Sequence, residues 1–580
     1  MTRASQRLLD LLPGLLLALG IWAGIRAYLP LLHLWPSSTD GVVWASAAAI
    51  STPGWWRWDL LSPHFIGYRP LTALSFTIDS LFGFERPEPH RLMNLLLYAL
   101  VGLFAFRVGR SLTGSETRSR WAGLPAALLL LAHPAAEEIV ALEARRSYAL
   151  FLVFGLAALP PWIQACREAR WLGPSARLGA LLLGASLLSN EEGFVLAAVL
   201  PLLAWALGPE EIPTGKRLLR ASLLPAGVAT LVFTARLAVI GHIGGYSGAR
   251  PSLEKTWKIL GDGVREVMTP GLFPSVDASA GLPLWTALLL LALLLASLFV
   301  PIFLPIFAPP PARRPGGPAT RRVPIVLLTW LAGILALSAL TAHWYHRQAW
   351  CAAVPLVLLV ERIVLDALRN ARTAPVAGVL RLLPPLLYAA PVLAGSPALR
   401  GMDPQALDAF RAHHARLEIA LADLSRLPER SVAFLVPGVD RPRSGKRKIP
   451  SNLWYHGQNA SRWLGALLRE RGIRVRDAAF VLPHSGEASD LRLELVTPMR
   501  LWAEPGDVMV PSKAAETLSA VERIDGRDML HLDRFSVRSG HSAWIYWIEQ
   551  GRGRLAPLSL PERDEDAEEP GEPRAGGDED

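Results

Sequence analysis

Only two of the 580 residues are cysteines, Cys166 and Cys351, which excludes a disulfide framework and a cysteine-built metal site. Charge is also scarce. Asp, Glu, Lys and Arg make up 19% of the chain, where a soluble globular protein carries roughly 25%. No internal repeat of about 20–50 residues is present, which excludes solenoid and propeller architectures. The Gly244-Gly245 pair lacks the flanking strand and helix of a phosphate loop. What the chain has instead is apolar length: 51% of its residues are hydrophobic and its mean hydropathy is +0.29. Most of it therefore belongs in lipid.

A hydrocarbon core of about 30 Å takes roughly 20 apolar residues in a helix. By that ruler candidate spans fall near 9–34, 91–110, 121–141, 147–164, 177–190, 194–208, 221–241, 283–308, 323–342, 350–368 and 376–395. The first apolar run follows Arg3 and Arg7 as a signal peptide would, but it is too long for a typical signal core and reads as an uncleaved first span. The formal net charge of +9 comes mostly from Lys and Arg in short loops between apolar runs, which reports membrane orientation rather than a nucleic-acid partner. With the N-terminus cytoplasmic, the inside loops carry Arg107, Arg110, Arg118 and Arg120, then Arg167, Arg170 and Arg177, then Lys216, Arg217 and Arg220. Arg313, Arg314, Arg321 and Arg322 follow, then Arg369 and Arg372, so every assigned inside loop is basic. The two cysteines then lie near opposite faces and do not meet.

The expected fold class is mainly α, a polytopic helical bundle of about eleven spans over 1–398, followed by a small soluble α/β domain over 399–561 outside the membrane. Strand-like runs at 431–436 and 543–548 and a helix-like run at 408–424 support that domain. The acidic segment 562–580 contains Pro and Gly and lacks apolar residues able to build a core, which predicts disorder. The expected location is the inner (plasma) membrane.

Charged groups at membrane depth cost at least about 2.5–3.5 kcal/mol each, so those beside spans usually face a protein-lined cavity. Here they share the outer side. The first outer loop, rich in Trp44, Trp55, Trp56 and Trp58, holds Asp40, Asp59, His64 and Arg69. Later outer segments hold His133, Glu137, Glu138, Glu143, Arg145 and Arg146, then Glu191 and Glu192, then His343, His346 and Arg347. Taken singly, each reads equally as a solvated loop residue at the interface; together they mark one face. Such a face favours interfacial chemistry over passage, and a transporter or flippase, the rival reading, predicts charges near the midplane of broken helices.

Several of these segments resemble the GT-C class of polytopic glycosyltransferases, most closely the transmembrane O-mannosyltransferases that carry tetratricopeptide repeats, and their bacterial relatives. The stretch Tyr68-Arg69-Pro70-Leu71-Thr72 is similar to their YRPLT, and His90 to Asn94 to the HLxN that follows. His133-Pro134-Ala135-Ala136-Glu137-Glu138 resembles HPxHxE, with Arg146 at the position of a later Arg, and Ser189-Asn190-Glu191 resembles a Ser-Lys-Glu turn. Arg347 with Pro355 resembles an Arg-rich turn entering a late span, and the likeness covers roughly residues 1–400. The chain departs from the pattern at Thr39-Asp40, where paired acids are usual, at Ala136 for a second His, at Asn190 for Lys and at Tyr148 for Asp. No repeat array follows the last span, and a catalytically silent relative is a third reading.

The resemblance implies transfer of a sugar, with mannose as one candidate, from a polyprenyl-phosphate carrier to a protein or glycolipid acceptor outside the cytoplasm. It makes Asp40 the expected base, Arg69 and Arg347 the expected ligands of the donor phosphate, and Glu138 and His133 the groups that orient the acceptor or support the base. Glu191 would position a neighbouring group or a divalent ion, with Asp59, Tyr68, Arg146 and His346 in support. No cofactor is certain, a divalent cation is the one candidate, and no metal ligand is assigned.

Overall fold

The computed structural model describes residues 3–34, 68–80, 82, 86–113, 121–240, 253–269, 288, 289, 292, 293, 319–341, 344, 346–370, 375–402, 404–424, 426, 427 and ten strand segments between 431 and 563. Asp40, Asp59, His64 and nearly all of the expected span at 283–308 lie outside the described residues.

The described helices are α1 (Arg3–Tyr28), α2 (Pro70–Ser80), α3 (Pro87–Thr113), α4 (Leu124–Ala132), α5 (Ala136–Ala141), α6 (Arg146–Arg167), α7 (Pro174–Ser189) and α8 (Gly193–Leu207). They continue with α9 (Thr214–Ile240), α10 (Leu253–Met268), α11 (Ala319–Leu340), α12 (His346–Asn370), α13 (Pro375–Ala394), α14 (Pro397–Arg400) and α15 (Pro404–Leu424). Among the described residues five helical segments are long and apolar enough to cross a membrane: Asp10–Leu31, Pro87–Thr113, Arg146–Arg167, Thr214–Val239 and Arg322–Leu340. Their outward side chains, such as Leu15, Leu96, Leu231 and Ile325, are apolar and exposed, as a lipid-facing surface requires. The other expected spans among the described residues also fall on helices, with one change.

The expected span at 121–141 is not one helix. It breaks at His133-Pro134 into α4 and α5 because Pro134 has no N–H to offer Leu130, four residues back. The Ala135 amide, which would serve Leu131, instead donates to His133 Nδ1 at 3.2 Å. Carbonyls freed inside a bilayer need replacement donors. Trp350 Nε1 donates to the Leu130 carbonyl at 2.9 Å and the Tyr98 hydroxyl donates to that of Leu131. Their rings stack, with centroids 6.2 Å apart and planes 23° apart.

At the other end of α4 the chain reaches the helix through Gly123, whose φ of 89° is in the left-handed region, and a Cβ there would lie 2.0 Å from the Phe106 carbonyl oxygen. The amide of Gly123 donates to the buried carboxylate of Glu361 on α12, joining α3, α4 and α12 at that end of the bundle.

Beyond α15 the described residues are strands: β1 (Ser431–Val436), β2 (Asp477–Phe480), β3 (Glu494–Thr497), β4 (Arg500–Ala503), β5 (Val521–Ile524), β6 (Arg527–His531), β7 (Val537–Arg538), β8 (Ser542–Glu549), β9 (Arg552–Leu558) and β10 (Glu562–Arg563). One sheet runs β2-β1-β8-β9, with β1 parallel to both β2 and β8 and with β8 antiparallel to β9. A second runs β3-β4-β6-β5 and is antiparallel throughout. The first two residues of the acidic segment, Glu562 and Arg563, pair with Val537 and Arg538.

Candidate functional site

The site is built where the end of α7 turns into α8. Asn190 is extended, with φ −158° and ψ 148°, and ends α7. Its side chain donates to Ser147 Oγ at 3.3 Å and accepts from the Glu192 amide at 3.1 Å, which pins the turn to the start of α6. Thr72 on α2 donates to the Ser189 carbonyl at 3.1 Å and brings the Tyr68-Arg69 segment onto the same turn.

Glu191 is the anchor. Its Oε2 accepts from Arg69 Nε at 3.1 Å and Nη2 at 2.7 Å, while its Oε1 faces Arg236 Nη1 of α9 at 2.6 Å. Burial alone would raise its pKa, but the two guanidinium groups outweigh that and hold the carboxyl at about 2. Arg69 also donates to Ser147 Oγ at 3.2 Å. Tyr68 beside it is buried, and desolvation raises its phenol.

A second ion pair closes the other side. Glu138 on α5 accepts from the backbone N–H of Arg347 at 3.0 Å and from its Nη1 at 2.9 Å, at the N-terminus of α12. Arg145 Nε lies 3.5 Å from the same carboxylate, and Glu137 reaches Arg400 of α14 at 3.2 Å. The guanidinium of Arg347 sits 5.3 Å from the Tyr148 ring centroid. Tyr148 lies in electrostatic range of Arg347, Glu192 and Arg69, and so links the two ion pairs.

Between them is Glu192. It is 4% exposed, and neither carboxylate oxygen has a hydrogen bond of ordinary geometry. Gln348 and Cys351 on α12 lie close enough to favour its ionised form. Burial dominates and pushes the carboxyl up to about 7.

The structure therefore brings together Arg69, Tyr68, Glu191, Glu138 and Arg347 from the expected set. His133 is fully buried at the helix break. His346 is the first residue of α12, next to Arg347, and its side chain is outside the described residues, as are Asp40 and Asp59. Arg146, expected in support, is fully buried and engaged on every side. Its Nη1 pairs with Asp79 of α2 and its Nε donates to Asn94 Oδ1 at 2.8 Å, while Nη2 donates to the His90 carbonyl at 2.9 Å. The guanidinium also lies 4.0 Å from the Phe76 ring centroid. His90 Nδ1 is 3.0 Å from the same Asp79 oxygen.

Sequence reasoning missed Asp79 and Arg236. A signal for Asp79 was present: a lone acid in the apolar stretch after Pro70 needs a buried partner. Arg236 near the end of α9 gave no such sign.

Five arginines (Arg69, Arg145, Arg236, Arg347, Arg400) thus face four glutamates (Glu137, Glu138, Glu191, Glu192), one of them sealed from water without a hydrogen bond. This surplus of guanidinium suits an anionic ligand. Among the described residues no group of three or more His, Cys, Asp or Glu side chains is placed to hold a metal ion.

No family model matches the chain. Over 139 residues, 23% of its length, the chain is 35% identical to the protein O-mannosyl-transferase TMTC2 of Mus musculus. That stretch is 16% of the mouse protein, so this chain matches about a sixth of that relative's length. Among solved structures it is similar to ArnT from Cupriavidus metallidurans bound to undecaprenyl phosphate, at 13% identity and a TM-score of 0.41, covering 89% of this chain and 97% of ArnT. The apo oligosaccharyltransferase of Archaeoglobus fulgidus gives 13% identity and a TM-score of 0.39, over 81% of this chain and 64% of that one.

Proposed function

We propose that this chain is a membrane glycosyltransferase that moves a sugar, with mannose as the first candidate, from a polyprenyl-phosphate donor to a protein or glycolipid hydroxyl outside the cytoplasm. The observation that carries this reading is the convergence of Arg69, Arg236 and Arg347 from three distant segments around one buried turn. In the reaction the acceptor oxygen bonds to the anomeric carbon as the bond from that carbon to the phosphate oxygen breaks. The acceptor proton passes to Asp40 and the electron pair leaves with the polyprenyl phosphate. Phosphate is a good leaving group, so the reaction needs a base and cations rather than a strong acid. Arg347 and Arg69 neutralise the growing charge, and Arg236, tied to Arg69 through Glu191, adds a third cation. Glu138 sets the position of Arg347. The reading includes about eleven spans in the inner membrane, a cytoplasmic N-terminus and a soluble extracytoplasmic α/β domain over 399–561.

The test is transfer by the purified protein in lipid, from a panel of radiolabelled polyprenyl-phosphate sugars to an envelope acceptor fraction. Wild type should label the acceptor. Asp40→Asn should insert normally and lose transfer. An absence of transfer from every donor overturns the reading in favour of a carrier or a silent relative.

A further inference from the structure

Glu192 is the one residue of the cluster whose charge the surrounding structure does not answer. Its neighbour Glu191 takes both Arg69 and Arg236, and Glu138 takes Arg347, so three guanidinium groups are paired with other carboxylates. We infer that Glu192 is a positioning residue that carries a proton when the donor binds, and that its ionisation withdraws Arg347 from the donor phosphate. This rests on the transferase reading given above.

The groups facing Glu192 set the balance. From α6 comes Tyr148, from the segment before α2 comes Arg69, and from α12 come Arg347, Gln348 and Cys351. Glu191 in the same turn repels a second negative charge, and Arg236 of α9 is already paired with Glu191. The charged residues of α7 and α11, Arg177 on the first and Arg321 and Arg322 on the second, sit at the opposite ends of those helices. Glu192 is also the residue that precedes α8, where the helix N-terminus favours an anion. Against this stands burial with no hydrogen bond of ordinary geometry, which outweighs the nearby Gln348 and Cys351 and favours the neutral acid. Once ionised, Glu192 places a second carboxylate in range of Arg347 and competes with any phosphate for it. When neutral, it leaves the cation to Glu138 and the donor, and its own O–H becomes a donor toward an anion.

Two measurements on the full-length protein in phosphatidylcholine nanodiscs test this. Difference infrared spectroscopy without ligand should show a protonated carboxylic acid band at pH 6 that is lost by pH 8.5. Glu192→Gln should lack that band, and Glu192→Asp, if the Gln variant does not fold, should shift it. Binding of undecaprenyl phosphate should weaken about tenfold more from pH 6 to pH 8.5 in wild type than in Glu192→Gln, where only the ligand's own titration remains. A band that persists in both variants, or an equal pH dependence in wild type and variant, overturns the inference. A titrating band with no binding by wild type at either pH overturns both the coupling and the donor reading. A missing band with normal binding overturns the Glu192 assignment alone.

Discussion

Glu138 accepts two hydrogen bonds from Arg347, one from its backbone N–H at 3.0 Å and one from its Nη1 at 2.9 Å, although 209 residues separate the two. One carboxylate thus fixes both the first turn of α12 and the direction of its guanidinium. A neutral side chain at 138 would leave both unset.

Arg347→Lys should therefore leave the fold intact and lower transfer by roughly 10²- to 10³-fold, because an ammonium cannot reproduce a planar fork against carboxylate and phosphate together. Single-turnover transfer rates, with circular dichroism as the fold control, check this.

Glu191→Gln removes the charge between Arg69 and Arg236 and leaves two half-buried cations facing one another. Breaking such a half-buried pair costs about 1–3 kcal/mol, between the exposed and the buried case, read as a fall in melting temperature. The carboxyl is held at about 2, below its unfolded value of 4.5. Its contribution is thus complete above the unfolded value and is lost as pH falls toward 2. The gap in melting temperature between wild type and variant should close over that range.

Asp79, Arg146 and His90 form a buried knot linking α2, α3 and α6. Arg146→Leu and Asp79→Leu should each cost about 3–5 kcal/mol, while the double variant should recover much of the loss, since no unpaired charge then remains. Tryptophan-fluorescence unfolding of the three variants checks the coupling, and additive losses would count against it.

Trp350→Phe removes the indole N–H that serves the Leu130 carbonyl at the break between α4 and α5. The carbonyl then keeps only the long bond from the His133 amide at 3.3 Å, so the loss costs about 0.5–1.5 kcal/mol. The variant should melt earlier, with faster amide exchange in α4 than in α8.

By itself the sequence determined the membrane-helix class, and from it come the expectations for the direction of the chain through the bilayer and for the side on which the chemistry-bearing residues lie. Hydrophobic length and the placement of Arg and Lys are local properties, readable without contacts. It also placed Arg69, Glu138, Glu191 and Arg347 in one candidate site through their outer-loop positions. Pairing was beyond its reach. Glu191 and Glu192 are adjacent and chemically identical, yet one is held ionised by two arginines and the other is sealed without a hydrogen bond. Arg146 stands in a promising motif and is consumed by Asp79, and the break that Pro134 makes in the apolar run at 121–141 is covered by Trp350 and Tyr98, which serve the carbonyls there. These outcomes depend on which side chains lie across a gap of tens to hundreds of residues, and in a low-dielectric interior that proximity decides each group's charge. Only the tertiary structure supplies it.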